Sequence, residues 1–168
     1  MDRSAQMTAA TAASGTLTSP REESTRRIGR ALGEAAMPGT LLALTGPLGA
    51  GKTQLAKGVA EGLGVDTVVN SPTFILMNEH AGRLRLFHID AYRLDDPEEA
   101  FAAGLLDERQ AEGVTVVEWA DRLSGWLPAA RLDLTIAFDE TDADLRHVTW
   151  RAGDPLHARL ARAALEAP

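Results

Sequence analysis

The chain has no cysteine. That excludes a disulfide framework and a thiolate metal site, and it fits a reducing compartment. No apolar run approaches the length of a membrane span, and cytoplasmic residence is the expectation. Lysine is almost missing as well: Lys52 and Lys57 are the two lysines among 17 basic side chains. Acidic residues number 24, for a formal net charge of −7. A protein that grips nucleic acid through its phosphates is usually basic, so tight, direct binding of RNA or DNA is disfavoured. Met1 to Ser14 are small and polar, with no signal-peptide apolar region. These fourteen residues are expected to form a disordered extension, and residues 15–168 a single domain. There is no internal repeat and no linker to divide it, and 168 residues suffice for a well-buried core.

Against this plain background one segment stands out. Gly46-Pro47-Leu48-Gly49-Ala50-Gly51-Lys52-Thr53 fits G-x-x-x-x-G-K-[ST], the phosphate-cradling P-loop. Glycines let the backbone wrap an anion so that successive N–H groups point at it. The Lys52 ammonium can reach the outer phosphates, and the Thr53 hydroxyl can ligate Mg²⁺. By chance the pattern should occur in roughly one chain of this size in a few hundred, given average glycine usage. Context narrows it further. Thr40 to Thr45 is a short apolar run suited to a buried parallel strand. From Gln54 to Leu63, apolar residues Leu55, Ala56, Val59, Ala60 and Leu63 recur at helical spacing.

The remaining elements interleave. Ser19-Pro20-Arg21-Glu22 reads as a capping box with proline at the first helical position. It opens a helix through Ile28, Ala31, Leu32 and Ala35 that stops at Pro38-Gly39. Val68-Val69 begins an extended stretch, and Phe74–Met77 and Arg83–Ile89 read as strands joined through Ala81-Gly82. Asp96-Pro97-Glu98-Glu99 opens a short helix, and Val114–Val117 is a second buried strand. Leu132–Phe138 and Leu145–Trp150 alternate as an antiparallel hairpin, and Asp154-Pro155 starts a last amphipathic helix. This pattern predicts an α/β three-layer P-loop NTPase fold, with a mostly parallel central sheet and antiparallel peripheral strands.

Hydrolysis needs acids as well as a cradle. Asp90 and Glu118 each end a predicted strand, and ligands of open α/β sheets bind beyond the carboxyl ends of the strands. Either acid can hold Mg²⁺ or orient the attacking water; the plainer reading is a turn cap or a pair with Arg93 or Arg122. Ser71-Pro72-Thr73-Phe74 follows the P-loop helix, where hydroxyls can sense a γ-phosphate; Ser-Pro is equally an ordinary turn initiator. His88 is expected to pack or hydrogen-bond within its strand. Trp119 either joins the core or covers the site. The chain carries neither N-K-x-D nor Asp-x-x-Gly, so ATP is favoured over GTP.

These pieces, in this order, resemble the bacterial TsaE (YjeE) family, the ATPase component of tRNA N6-threonylcarbamoyladenosine biosynthesis. The resemblance runs from about Ser19 to Phe138. Besides the P-loop it rests on Asn70-Ser71-Pro72-Thr73-Phe74, His88-Ile89-Asp90-Ala91-Tyr92-Arg93-Leu94 and Val117-Glu118-Trp119-Ala120-Asp121-Arg122. It implies an ATP site built from Gly46, Pro47, Leu48, Gly49, Ala50, Gly51, Lys52, Thr53 and Gln54, joined by Thr25, Ser71 and Thr73. Where the family usually has Asp or Glu, this chain has Pro47, which leaves the backbone cradle intact. It further implies Glu118, Asp90, Lys52 and Trp119 as the catalytic set, with Mg²⁺ on Thr53, Glu118 and Asp90. The implied partners are the TsaD transferase and TsaB. The family docks on that pair in an ATP-dependent way and resets it by slow hydrolysis, meeting tRNA only through the complex. Two rival readings remain, a small-molecule kinase on the same scaffold and an ATP-dependent scaffold without useful turnover.

Overall fold

The computed structural model describes residues 13–72, 76–102, 104–123 and 125–166. Its centre is β2 (Thr40–Thr45), flanked in parallel by β5 (Val114–Glu118) and β6 (Leu132–Phe138). β4 (Leu86–Asp90) runs parallel to β5 on its outer side. β7 (Arg146–Ala152) returns antiparallel along β6, β1 (Ala13–Ser19) pairs antiparallel with β7, and β3 (Met77–His80) closes the other edge against β4. The seven-stranded order is β1-β7-β6-β2-β5-β4-β3. A parallel centre with antiparallel edges is the architecture the sequence predicts.

Alternation along β2 explains why both faces must be covered. Leu42 and Leu44 join one cluster, with Leu32 of α1 (Glu22–Ala35), Leu55 and Val59 of α2 (Lys52–Gly62), and Leu160 of α4 (Pro155–Leu165). Leu41 and Ala43 join another, with Ile89 and Val117, beneath α3 (Pro97–Ala102) and the 3₁₀ turn Ala120–Leu123. Each fully buried leucine contributes about 1.5–3 kcal/mol. A strand apolar on both sides therefore has no stable place except between two layers.

Helices α1 and α2 meet without side chains between them. A Cβ on Gly29 or Gly33 would lie 2.1 or 2.2 Å from the carbonyl oxygens of Leu55 and Val59. Reciprocally, a Cβ on Gly58 or Gly62 would lie 2.0 or 2.2 Å from those of Arg26 and Arg30. Each pair is spaced i, i+4, so it forms one stripe on its helix. Glycine inside a helix costs about 1 kcal/mol against alanine; here it admits main chain against main chain.

Several boundaries differ from expectation. Ala13 and Ser14, expected in the N-terminal extension, belong to β1; residues 1–12 lie outside the described ones. β1 alternates buried and exposed positions on a polar sequence, and pairing with β7 supplies its main-chain partners. Ser19 ends β1 and does not cap α1: Arg21 is the N-cap and donates no side-chain cap. The Ser19 hydroxyl instead donates to the Arg21 carbonyl and meets the Thr25 hydroxyl at 2.7 Å. Val68-Val69 lies in the connection between α2 and β3, with Val68 80% exposed. The strand expected from Phe74 starts at Met77, and Phe74 itself lies outside the described residues. Asp154 caps α4 as expected, its carboxylate accepting from the His157 N–H.

Candidate functional site

The glycine loop leaves β2 at Thr45 and enters α2 at Lys52. Each turn of it demands a particular backbone. Gly46, Gly49 and Gly51 have φ of 148°, 79° and 114°, in the region where a Cβ is strained. Gly46 also lies against β6, where a Cβ would sit 2.4 Å from the Ile136 carbonyl oxygen. The Ala50 N–H donates to the Pro47 carbonyl, and the Leu55 N–H to that of Gly51. The N-terminus of α2, with its unpaired N–H groups and positive dipole end, therefore opens at the loop. A cleft of about 400 Å³ includes Lys52, Thr53, Ser71, Asp90, Glu118 and Trp119. A second, of about 610 Å³, shares Gly49, Gly51 and Gln54 with it and adds Thr25 and Ala50.

The two acids stand side by side. Asp90 and Glu118 are register partners at the ends of β4 and β5, with β5 next to the P-loop strand and β4 one place further. The Thr53 hydroxyl donates to Glu118 Oε1 at 2.6 Å. Asp90 accepts from the Ser71 hydroxyl and from the Tyr92 N–H. His88 is the residue sequence reasoning undervalued: its Nε2 is 2.6 Å from Glu118 Oε2, with both side chains buried. Spacing puts His88 on the face of Asp90, two residues on, but its partner Glu118 lies on the neighbouring strand, which no local pattern reveals.

Lys52 is almost wholly buried. Its ammonium donates to the carbonyls of Gly46 and Pro47 at 2.6 and 2.8 Å and lies 3.9 Å from the Trp119 ring centroid. Burial holds its pKa below the ordinary lysine value, while Glu118, Asp121 and Asp90 pull it back upward. Trp119 packs on Tyr92, centroids 4.8 Å apart, so it borders the cleft as well as the smaller core cluster. Thr25 is buried with its methyl carbon 3.4 Å from where a Cβ of Gly51 would lie; its hydroxyl is turned to Ser19. Leu48 is exposed at the loop. Thr73 lies outside the described residues.

Among the described residues no group of three or more His, Cys, Asp or Glu forms a metal cage. A P-loop Mg²⁺ does not need one, because it takes one or two protein oxygens and fills its octahedron with water and phosphate. The Thr53 hydroxyl against a Glu118 carboxylate, with Asp90 alongside, is an all-oxygen donor set that fits such an ion.

A glycine loop between a central parallel strand and the helix it opens, with acids ending the next two strands, defines a P-loop NTPase fold. The family model "Threonylcarbamoyl adenosine biosynthesis protein TsaE" matches residues 19–148. The tRNA threonylcarbamoyladenosine biosynthesis protein TsaE of Bacillus subtilis is 42% identical over 131 residues, covering 77% of this chain and 80% of that protein. The protein of the same name from Mycobacterium leprae is 40% identical over 147 residues, covering 82% and 91%. The crystal structure of Bacillus subtilis YdiB superposes with a TM-score of 0.72 at 33% identity, covering 90% of this chain and 96% of that one. The chain belongs to the TsaE family of tRNA threonylcarbamoyladenosine biosynthesis proteins.

Proposed function

We propose that the protein binds ATP with Mg²⁺ on Gly46–Thr53 and hydrolyses it slowly in the cytoplasm, and that its nucleotide state governs docking on the TsaB–TsaD transferase pair. On this reading the chain does not transfer the carbamoyl group, and it meets tRNA only through the complex. The observation that carries the proposal is the 2.6 Å hydrogen bond from the Thr53 hydroxyl to Glu118, at the mouth of a phosphate loop and beside Asp90.

In this mechanism the loop N–H groups and the start of α2 bind the β- and γ-phosphates, and Lys52 neutralises their charge. Thr53, Glu118 and Asp90 would hold Mg²⁺, which when bound supplies charge neutralisation on the phosphate oxygens. Glu118 also orients a water in line with the bond to be broken. The water oxygen bonds to the γ-phosphorus as the bond to the ADP oxygen breaks, and a water proton leaves to solvent or phosphate. Such a loose transition state asks the protein for positioning and electrostatics. Trp119, lying over Lys52, keeps bulk water from the ammonium and strengthens its field. Thr25 and Gln54 flank the loop, and Ser71 with Thr73 forms the segment that responds to the γ-phosphate. The absence of a guanine-reading motif supports ATP.

Phosphate release measured with the chain alone, with small acceptor molecules, and with purified TsaB and TsaD tests the proposal. Hydrolysis that rises with the pair and collapses in Glu118→Ala and Lys52→Ala, with circular dichroism unchanged, is expected. Transfer to a small acceptor without the pair would overturn it in favour of a kinase. ATP binding with no turnover in the full complex would leave a scaffold.

A further inference from the structure

We infer that His88 is a positioning residue for Glu118: its imidazole holds one carboxylate oxygen so that the other stays aimed at Thr53 and the cleft. The inference rests on the reading of Glu118 as the acid of the nucleotide site, and it adds a residue which that reading does not use.

The geometry divides the carboxylate cleanly. Oε2 lies 2.6 Å from His88 Nε2, and Oε1 accepts the Thr53 hydroxyl at 2.6 Å. An ionised carboxylate only accepts, so Nε2 is the donor. The terminal torsion of a glutamate is broad and roughly two-fold. A carboxylate held by Thr53 alone would turn about it, toward the Lys52 ammonium or away from the Asp90 carboxylate. With both oxygens fixed, that freedom is gone. At 0% and 2% exposure, the His88 and Glu118 side chains leave no room for solvent to replace the bond.

Register explains how His88 reaches. It pairs across β4 and β5 with Val116, and Glu118 is two residues on. Side chains two apart on a strand share a face, so His88 approaches Glu118 diagonally while Asp90 stands directly beside it. The ring's other nitrogen supplies an independent argument. His88 Nδ1 is buried and finds no hydrogen-bond partner among the described residues. An unpartnered buried polar atom is destabilising, so a position that served packing alone would favour an apolar side chain. The nitrogen facing Glu118 accounts for keeping histidine in the sheet.

The test uses the full chain with TsaB and TsaD. His88→Leu, His88→Gln and His88→Asn are compared for kcat, for KM toward ATP, and for Mn²⁺ affinity of the ADP complex by electron paramagnetic resonance. Glutamine's amide can donate where Nε2 does, while asparagine's is one methylene short. Removing a hydrogen bond that orients a metal-site ligand costs about 10- to 100-fold in affinity or activity. We expect His88→Leu and His88→Asn to lose kcat and Mn²⁺ affinity on that scale. KM and metal-free ADP binding should stay within about threefold, and His88→Gln should regain at least tenfold. If His88→Leu does not fold, the Gln–Asn pair decides alone. Equal values for Gln and Asn, or wild-type kcat and Mn²⁺ affinity in either Leu or Asn, would overturn the inference. Glu118→Gln, run beside them, separates the two claims. Unchanged turnover there removes Glu118 from the mechanism, whereas a collapse there with active His88 variants sinks the positioning role alone.

Discussion

The ammonium of Lys52 lies 3.9 Å from the ring centroid of Trp119, and Trp119 holds a φ of 57°. No other non-glycine residue has a positive φ among the described residues. A bulky side chain in that region costs about 1–2 kcal/mol, and such strain persists where the surroundings over-determine it. Turning the chain left-handed straight after Glu118 is what brings the indole back over Lys52. A cation over an indole returns about 0.5–2 kcal/mol, so strain and contact roughly cancel.

A variant that relieves the strain also loses packing, because Trp119 stacks on Tyr92 and lies against the smaller core cluster. Trp119→Gly is expected to lower unfolding free energy by about 1–3 kcal/mol, less than truncation of a fully buried, unstrained tryptophan. ATP turnover should fall at least about tenfold, a barrier change of ~1.4 kcal/mol. Urea unfolding and phosphate release together check this. Full turnover in the glycine variant would show that the indole is dispensable.

The Thr53–Glu118 bond should be visible without any partner protein. Thr53→Val keeps the shape but leaves Glu118 Oε1 short of its donor in a buried setting. The expected loss is about 1–3 kcal/mol, measured as a lower urea midpoint with an unchanged slope. Thr53→Ser retains the hydroxyl and should unfold near wild type. A valine variant as stable as the parent contradicts the bond.

Glycines in this chain are needed for two unrelated reasons, which alanine can tell apart. At Gly33 or Gly58 a methyl group would run into carbonyl oxygens 2.2 and 2.0 Å away. Either substitution should cost about 3 kcal/mol or more, from overpacking that forces the helices apart. At Gly49 there is open space and the difficulty is only φ 79°, so about 1–2 kcal/mol is expected. Thermal unfolding of the three alanine variants should rank Gly49→Ala mildest; the reverse order would refute the close helix crossing.

Acid should loosen the β6–β7 hairpin through Asp139. Its carboxylate accepts from His147 Nε2 and from the N–H groups of Thr141 and Asp142, and these bonds, the one from His147 foremost, hold its pKa far below the ordinary 3.8. A depressed pKa in the folded state means that the stabilisation is complete above the unfolded value and drains away below it. The stability gap between wild type and Asp139→Asn should be constant from pH 7 to about 4 and shrink as pH falls further. Urea midpoints at pH 7, 4 and 2.5 test this; a gap unchanged at pH 2.5 rules it out.

What the sequence disclosed follows from how many constraints each segment carries. β2 and β5 are legible because burial on both faces forces an uninterrupted apolar run, and the glycine loop because only glycine satisfies its backbone. Asp90 and Glu118 are legible because acids at strand ends are conspicuous after such runs. β1 is not, since Ala13–Ser19 is small and polar and becomes a strand only when β7 lies beside it. Ser19 imitates a cap from its spacing, yet its hydroxyl is taken by Arg21 and Thr25. His88 escaped for a different reason. A single histidine among apolar residues has the same local pattern whether its nitrogens are used or idle, and only the neighbouring strand reveals Glu118. The helix crossing is equally hidden, because Gly29 and Gly33 gain their meaning from Gly58 and Gly62 on another helix.

One contact sets where the working unit must begin. Ser19, at the end of the outermost strand, touches Thr25, and Thr25 in turn abuts Gly51 of the phosphate loop. At the same strand's other end, Gly15 lies under the Trp150 indole, whose atoms would be 2.7 Å from an added Cβ. A chain trimmed to start at Glu22 would keep the whole loop and both acids, and by its motifs would look intact. It would also uncover the largest side chain of the core and remove the support behind one wall of the loop. A working fragment therefore has to keep β1, which lies upstream of the phosphate loop and of both acids.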